Sequence, residues 1–323
     1  MRSIRLAMPL SSRHPVIAVV GGFLGAGKTT LILRASRLLQ QRGLRPAVIL
    51  NDQGGDLVDT HYAAALGVDC DQVTGGCFCC RFPDLVDAAD RLLAYRPDVI
   101  FAEAVGSCTD IVATTLRPLL REHRDRFEIA PLTVVLHPDG HFDDPHLDFL
   151  YRNQVAEADI LFARGESVQH WIDKILSDEV AAGANALDID YERYADAEAA
   201  LAWLNLRVTA HAEPAISAPM LIGPLLDRLE PQIRIVHLKL FMQSDAGYLK
   251  AAFTGNGRDP VVEGALDASP SAEHEILLNV RALDDPAALR ALVEREFSAL
   301  PVKLDWHQVE CFRPSAPVPY YRK

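Results

Sequence analysis

The chain has 323 residues, of which 49% are hydrophobic and 24% are charged, and its formal net charge at pH 7 is -12. This length is sufficient for one large domain or two modest domains, each with a buried core. The acidic balance argues against a nucleic-acid partner. No apolar run approaches the roughly 20 residues that a membrane-spanning helix needs, so no membrane partner is expected. Three of the six cysteines lie within four positions, which indicates reduced thiols in a cytoplasmic protein rather than a disulfide framework.

The first two-thirds of the chain alternate between short apolar runs and amphipathic stretches. The apolar runs, expected to be strands buried on both faces, are Val16–Val20, Pro46–Leu50, Asp98–Ala102, Leu132–Leu136 and Asp159–Phe162. The amphipathic stretches, expected to be helices, include Thr29–Gln41, Leu85–Tyr95 and Ile111–Arg121. This alternation predicts an α/β fold with a mostly parallel sheet and helices on both of its faces.

A proline-rich stretch near Val208–Gln232 interrupts the alternation and indicates a linker between two domains. Strands are expected beyond it at Ile233–Met242, Glu275–Val280 and Val302–Phe312, with a helix at Pro286–Leu300. The prediction is a flexible tail over residues 1–15, a larger domain over 16–215, a linker over 216–231 and a smaller α+β domain over 232–323.

The segment Gly22–Thr29 fits the pattern G-x-x-x-x-G-K-[ST] of a phosphate-binding loop. Its glycines allow backbone N–H groups to surround phosphates, and the following helix adds its positive N-terminal end. We expect Lys28 to reach the β- and γ-phosphates and the Thr29 hydroxyl to bind Mg²⁺. The predicted strand before the loop and helix after it make the larger domain a P-loop nucleotide-binding domain. Its expected phosphate contacts are Gly22, Gly25, Ala26, Gly27, Lys28, Thr29 and Thr30.

Two carboxylates follow predicted strands. Glu103 comes directly after Asp98–Ala102, at the end of a strand where ligands bind in open α/β sheets. It is a candidate to position Mg²⁺ or an attacking water. Asp52 follows Pro46–Leu50 and is either a second carboxylate on the Mg²⁺ side or part of a polar turn. Lys28, Glu103 and Asp52 are therefore the candidate catalytic residues.

The cysteines Cys77, Cys79 and Cys80 follow two glycines that allow the backbone to turn. Three thiolates at this spacing can converge on one soft cation and select Zn²⁺, Cu⁺ or iron–sulfur chemistry over Mg²⁺. The alternatives are buried packing for one or two of them, or a redox role. The fourth ligand is open between water, Asp52, Cys70, Cys108 and a histidine. A loop carrying His137, His141 and His146 is interpreted as solvated surface rather than a metal site.

Four motifs together resemble the CobW family of P-loop GTPases, relatives of the hydrogenase- and urease-maturation GTPases. They are Gly21–Thr30, Asn51–Gly54, Gly76–Cys80 and Glu103–Gly106, and the resemblance covers roughly residues 15–165. It implies hydrolysis of GTP with Mg²⁺ and binding of Zn²⁺ or another thiophilic transition metal by Cys77, Cys79 and Cys80. It also implies delivery of the metal, or insertion of a metallocofactor, into a client metalloprotein.

The chain differs from this family in the segment that is expected to recognise the nucleotide base. The family usually has Asn-Lys-x-Asp after the strand that corresponds to Asp159–Phe162, whereas this chain has Ala163-Arg-Gly-Glu166. Ala163 has no hydrogen-bonding side chain, and Glu166 is longer than the usual aspartate. Missing partners weaken discrimination between bases, so ATP stays open beside GTP. Arg164 and Glu166 are the candidate base contacts.

Two further departures from the family pattern lie outside this segment and suggest a divergent branch. Asp52 and Gly55 stand where the Asn-Glu-Phe-Gly-Glu pattern has its glutamates, and Leu136-His137 replaces the usual Val-Asp. These differences favour a different metal or a different client.

The leading hypothesis is a Mg²⁺-dependent NTP hydrolase that couples hydrolysis to metal delivery. One alternative is a P-loop phosphotransferase that acts on a small molecule, and another is a scaffold that binds nucleotide without hydrolysing it. A homodimer is left open.

Overall fold

The computed structural model describes residues 14–55, 57–254, 260–264 and 270–321. The chain forms two compact units. The first comprises the chain up to Gln53, Ala63–Ala197 and the segment from Ala316 onward, and the second comprises Gly54–Tyr62 and Glu198–Ser315. Among the described helices, none has the length and apolar character needed to cross a bilayer.

A parallel sheet forms the centre of the first unit. Within the described residues its seven strands are β1 (Val16–Gly21), β2 (Pro46–Asn51), β3 (Asp69–Val73), β4 (Val99–Glu103), β5 (Glu128–Ile129), β6 (Thr133–Val135) and β7 (Ile160–Phe162). The strand order is β3-β2-β4-β1-β6-β7, and β5 pairs with β1. All of these pairings are parallel, so the carboxyl ends of the strands lie along one edge.

Helices connect these strands. They are α1 (Lys28–Gln41), α2 (Val58–Ala65), α3 (Phe82–Leu92), α4 (Arg117–Glu122), α5 (Pro145–Glu157), α6 (Val168–Ile175) and α7 (Tyr191–Ala199). A π-helical turn, Val112–Leu116, precedes α4. The helix α1 buries Leu31, Ile32, Ala35 and Leu39, which is the spacing of one helical face. The α/β fold predicted from the apolar runs is confirmed.

The five predicted strands of the first unit are present within one or two residues of their expected bounds, because they are the buried runs. The sequence pattern missed β3 and β5. The strand β3 is an edge strand with sequence Asp-Cys-Asp-Gln-Val, in which two residues are exposed and two are half-buried, so it lacks the apolar signature of its neighbours. The strand β5 has only two residues.

An antiparallel sheet forms the second unit. Its six strands in the described part of the chain are β8 (Ala202–Ile216), β9 (Ile235–Ser244), β10 (Gly247–Phe253), β11 (Val261–Gly264), β12 (Ser271–Ala282) and β13 (Lys303–Phe312). Their order is β11-β10-β9-β12-β8-β13. The helices α8 (Ala218–Leu229) and α9 (Pro286–Ser298) contribute buried leucines to the core of this unit.

The structure corrects the expected boundary between the domains. Residues 202–216, of which all but the last were expected in the first domain, are β8, an interior strand of the second sheet between β12 and β13. Residues 216–231, expected to be a linker, are mostly α8, with Leu221 and Leu225 in the core. The prolines of this stretch predicted a break in the secondary structure, but Pro219 stands in the first turn of α8, where its missing N–H costs nothing. The tail predicted over residues 1–15 lies almost entirely outside the described residues.

Residues 54–62 belong to the second unit although they lie between β2 and β3 of the first. The Asp59 side chain is only 13% exposed there, and it forms ion pairs with Lys239 and Lys250. Burial by itself would raise the pKa of Asp59, but the two ammonium groups lower it well below its usual value. The backbone N–H of Val58 also donates to Asn279 Oδ1 at 3.1 Å. Polar contacts within the second unit therefore hold residues 54–62 in place.

Candidate functional site

The candidate residues follow neighbouring strands of the parallel sheet. The phosphate loop follows β1, and Asn51 and Glu103 are the last residues of β2 and β4. The cysteine loop, residues 74–81, follows β3. In the sheet, β4 lies between β1 and β2, and β3 is next to β2. The sequence therefore folds so that phosphate, carboxylate and thiol groups lie along one edge of the sheet, which is where open α/β sheets bind ligands.

The backbone geometry of the phosphate loop is suited to binding an anion. Gly27 precedes α1 with φ 99°, and no side chain caps the helix. The first turn of α1 contains no acidic residue, so its N–H groups and its dipole are available to an anion. A Cβ at Gly22 would lie 2.6 Å from the carbonyl oxygen of Val135, which explains why glycine is required there. The Ala26 N–H donates to the Phe23 carbonyl at 3.1 Å and closes the turn.

Lys28 and Thr29 begin α1 and are buried. The Lys28 ammonium donates to the Gly22 carbonyl at 2.7 Å and to the Phe23 carbonyl at 3.3 Å. These bonds hold the ammonium group inside the loop where phosphates are expected. Gly25 has φ 79°, a conformation that favours glycine, and Thr30 is half-buried in the first turn of the helix. The predicted phosphate contacts thus occupy one continuous loop and helix start.

Thr29 and Glu103 meet across the sheet. The Thr29 hydroxyl donates to Glu103 Oε1 at 3.0 Å, and both residues are buried. A hydroxyl beside a carboxylate is a hard oxygen donor set that suits Mg²⁺. Asp52 is half-buried after β2, and its N–H donates to the Val73 carbonyl at 3.2 Å. Asp52 therefore lies along the same edge of the sheet, and its catalytic role stays a prediction.

The candidate base-reading residues follow β7. The Glu166 N–H donates to the Ala163 carbonyl at 3.1 Å and closes a turn in which Gly165 has φ 96°. Arg164 and Glu166 are exposed in this turn. Both side chains are thus available at the carboxyl end of an edge strand, and their contact with a base stays a prediction.

Asn51 fixes the loop that carries the cysteines. Its Nδ2 donates to the carbonyls of Val73 at 2.9 Å and Gly76 at 2.7 Å, and its Oδ1 accepts from the Phe78 N–H at 3.0 Å. Gly75 has φ 74°, which lets the chain reverse before the cysteines. The Asn51 side chain is nearly fully buried, so these three bonds are protected from water. The motif Asn51–Gly54 includes this residue, but its role in fixing the cysteine loop was not predicted from the sequence.

The three predicted thiols converge. Among the described residues, Cys77, Cys79 and Cys80 are the one group of three or more metal-ligating side chains whose ligand atoms come together, all within 4.8 Å of one another. The Cys77 and Cys80 sulfurs are 3.5 Å apart, and those of Cys79 and Cys80 are 3.7 Å apart. A fourth sulfur, that of Cys108, lies 3.9 Å from the Cys79 sulfur. None of the six cysteines is in a disulfide.

Contacts among the thiols favour their protonated forms. Hydrogen bonds with Cys108 are the largest influence raising the pKa of Cys77 and Cys79, and a hydrogen bond with Cys77 raises the pKa of Cys80 to about 11. A cation that binds here must displace these protons, so metal binding releases protons and strengthens as pH rises.

The C-terminal segment of the first unit covers the cysteine loop. The Val318 N–H donates to the Cys80 sulfur at 3.3 Å, and the Tyr320 N–H donates to the Cys79 carbonyl at 2.8 Å. The Tyr320 ring stacks near Phe82, with ring centroids 6.4 Å apart. An N–H directed at a sulfur favours the thiolate that a metal requires.

Buried side chains of α5 hold the loop that contains Cys108. Gln154 Nε2 donates to the carbonyls of Gly106 and Cys108, each at 2.9 Å. Glu157 accepts from the Thr109 hydroxyl at 3.2 Å and from the Val112 N–H at 3.0 Å. Burial of Glu157 raises its pKa to about 8, so its carboxyl is mostly protonated at neutral pH. The position of Cys108 is thus set by an internal polar network.

The histidine loop is partly buried, which corrects its interpretation as solvated surface. His137 is buried, with its ring 4.9 Å from that of Phe142 and 6.2 Å from that of Phe23. His141 is exposed and His146 is half-buried at the start of α5. Aromatic packing therefore accounts for His137.

Residues 16–164 match the family model described as CobW/HypB/UreG, nucleotide-binding domain. The chain is 36% identical over 96 residues to the protein named zinc chaperone YjiA of Escherichia coli (strain K12), across 29% of this chain and 30% of that protein. It is 38% identical over 98 residues to the protein named zinc chaperone CobW of a Sinorhizobium species, across 27% of each chain. These matches thus span less than a third of the curated relatives.

Among solved structures, Zn(II)-bound YjiA GTPase from E. coli aligns with 88% of this chain and 99% of its own, at 13% identity and a TM-score of 0.34. HypB from Helicobacter pylori in complex with nickel aligns with 45% of this chain and 61% of its own, at 21% identity and a TM-score of 0.33.

Proposed function

We propose that this protein, whose residues 16–164 match the family model described as CobW/HypB/UreG, nucleotide-binding domain, is an NTPase that delivers a thiophilic metal to a client protein. One observation carries the proposal: a phosphate loop and a cluster of thiols lie along the same edge of one parallel sheet. Nucleotide and metal can then bind to loops that share neighbouring strands, which is the arrangement that coupling between them needs.

The phosphate half of the site rests on groups already in place. The N–H groups at the start of α1 and the Lys28 ammonium would bind the phosphates. Mg²⁺ would be held by the Thr29 hydroxyl, with the carboxylates of Glu103 and Asp52 nearby, and it would neutralise charge on the phosphates. We assign Glu103 to orient the attacking water, because its carboxylate lies next to the Thr29 hydroxyl.

The nucleotide is proposed to be GTP, with ATP also accepted. The family of the nucleotide-binding domain supports GTP. The turn Ala163–Glu166 supports relaxed selection, because Ala163 offers no side-chain hydrogen bond to the base. Arg164 and Glu166 are exposed in this turn and are the proposed base contacts.

The metal is proposed to be Zn²⁺, carried as cargo by Cys77, Cys79 and Cys80. Thiolates select Zn²⁺ over the Mg²⁺ that accompanies the nucleotide, and the names of the two curated relatives support zinc. Asn51 hydrogen-bonds the cysteine loop and directly precedes Asp52 in the chain. A shift of Asp52 on nucleotide binding would therefore reach the cysteines. The client, a homodimer and a cytoplasmic location stay predictions.

The test measures zinc content, nucleotide affinity and hydrolysis on the same purified full-length protein. We expect about one Zn²⁺ per chain, hydrolysis that requires Mg²⁺ and a hydrolysis rate that changes when Zn²⁺ binds. The variant with Cys77, Cys79 and Cys80 all changed to alanine should lose the zinc. Lys28→Ala should lose nucleotide affinity by more than about tenfold, and Cys311→Ser is the matched control for the loss of a thiol.

An unchanged zinc stoichiometry in the triple variant would contradict the metal assignment. Undetectable hydrolysis with and without zinc, despite tight nucleotide binding, would instead favour the non-hydrolysing scaffold. Transfer of the γ-phosphate to a small acceptor faster than to water would favour the phosphotransferase.

A further inference from the structure

The fourth sulfur at the cysteine cluster comes from a different loop. Cys77, Cys79 and Cys80 follow β3, whereas Cys108 lies on the loop after β4, 29 residues from Cys79 along the chain. Cys108 is buried, and its sulfur contacts those of Cys77 and Cys79. Strand order explains the meeting, because β2 alone separates β3 from β4 and all three strands end at one edge.

The spacing of the sulfurs fits one tetrahedral ion. Four sulfurs bound to a single Zn²⁺ at about 2.3 Å lie about 3.8 Å from one another. Three of the six sulfur–sulfur separations are close to this value: 3.5 Å for Cys77 and Cys80, 3.7 Å for Cys79 and Cys80, and 3.9 Å for Cys79 and Cys108. The Cys108 sulfur lies outside the group of three whose ligand atoms are all within 4.8 Å of one another, so binding one ion would draw it closer to them.

The backbone around Cys108 is fixed in a way that suits a ligand. Gln154 holds its carbonyl, and the Thr109 N–H donates to the Tyr194 hydroxyl at 3.2 Å. Gln154, Thr109 and Tyr194 are fully buried. Metal sites depend on such outer contacts to hold their ligands in place. A cysteine needed for packing alone would not require contact with the sulfurs of Cys77 and Cys79.

We propose that Cys108 is the fourth thiolate of the metal site, which makes it a closed four-sulfur site for Zn²⁺. This inference rests on the proposed function, since it concerns the same cation. A closed tetrahedral set leaves no open position for water or for an incoming ligand, as in structural zinc sites. Zinc therefore leaves only after one thiolate does, and Cys108 is the ligand that joins it to the loop that follows Glu103.

The experiment uses the reduced full-length protein loaded with Zn²⁺ and compares Cys108→Ser with Cys70→Ser, a cysteine of the same unit outside the cluster. In Cys108→Ser we expect zinc affinity to fall by at least about tenfold and zinc transfer to a chromophoric chelator to accelerate. Cys70→Ser should match the wild type in zinc affinity and in the rate of zinc transfer to the chelator. With Co²⁺ as the probe, Cys108→Ser should keep about three quarters of the thiolate-to-cobalt charge-transfer absorbance per ion.

X-ray absorption on the zinc-loaded wild type tests the ligand set without a substitution. We expect four sulfur neighbours at about 2.3 Å. A shell of three sulfurs and one lighter atom, or a Cys108→Ser variant with wild-type zinc affinity and cobalt spectrum, would overturn the role of Cys108 and leave the proposed function standing. A wild type that binds no zinc would overturn both.

Discussion

Substitution of Glu157 should destabilise the protein at low pH and stabilise it at high pH, so the effect on the free energy of unfolding changes sign with pH. Its carboxyl is fully buried on α5, and burial raises its pKa from 4.5 to about 8. Between these values the unfolded chain loses the proton while the folded chain keeps it. The contribution of Glu157 to stability is thus fully present below about pH 4.5 and is lost as pH rises towards 8.

The magnitude follows from the shift. Each pH unit in this window lowers the free energy of unfolding by up to about 1.4 kcal/mol. Over the whole window the loss of stability amounts to about 3–5 kcal/mol, because some structural relaxation reduces it. Glu157→Gln cannot ionise, but it keeps one carbonyl oxygen for the two donors, Thr109 and Val112. Losing one acceptor costs about 1 kcal/mol. We therefore expect Glu157→Gln to be less stable than the wild type near pH 5 and more stable near pH 8.

The assay is urea unfolding from about pH 5 to about pH 8, with hydrogen exchange on α5 peptides to confirm that the transition belongs to the first unit. Glu179→Gln, at an exposed glutamate, controls for the loss of one surface charge. Parallel stability curves for wild type and Glu157→Gln would refute the reasoning, because they would mean that Glu157 titrates alike in folded and unfolded chains.

Three further outcomes are expected. Asn51→Ala removes the side-chain hydrogen bonds that hold the cysteine loop, and zinc affinity should fall about tenfold; an unchanged zinc titration would contradict this. Deletion of residues 316–321 removes the N–H donated to the Cys80 sulfur and should accelerate zinc transfer to a chelator, whereas equal rates would show that the segment plays no part. Asp59→Asn leaves the buried Lys250 and the half-buried Lys239 without this counter-charge and should lower the free energy of unfolding by about 3–5 kcal/mol; a loss below about 1 kcal/mol, as for an exposed pair, would contradict the burial argument.

The domain boundary shows where the sequence pattern was insufficient. Prolines are concentrated in residues 208–232, yet this stretch contains the end of β8 and most of α8. Proline is favourable in a first helical turn, where Pro219 stands, and Pro224 lies inside α8 without ending the helix. The burial of Leu221 and Leu225 against the second sheet decides the outcome, and a local pattern does not contain that packing.

Short sequence patterns predict those parts of this protein whose structure depends on residues close together along the chain. The phosphate loop with Lys28 and Thr29, the buried strands and the cysteine motif at Cys77–Cys80 are local patterns, because backbone conformation and hydrophobic periodicity act over a few residues. The tertiary structure decided that Cys108 joins the other thiols and that Asn51 holds their loop. Those contacts depend on the order of β3, β2 and β4 in the sheet, which long-range packing sets and no short pattern records.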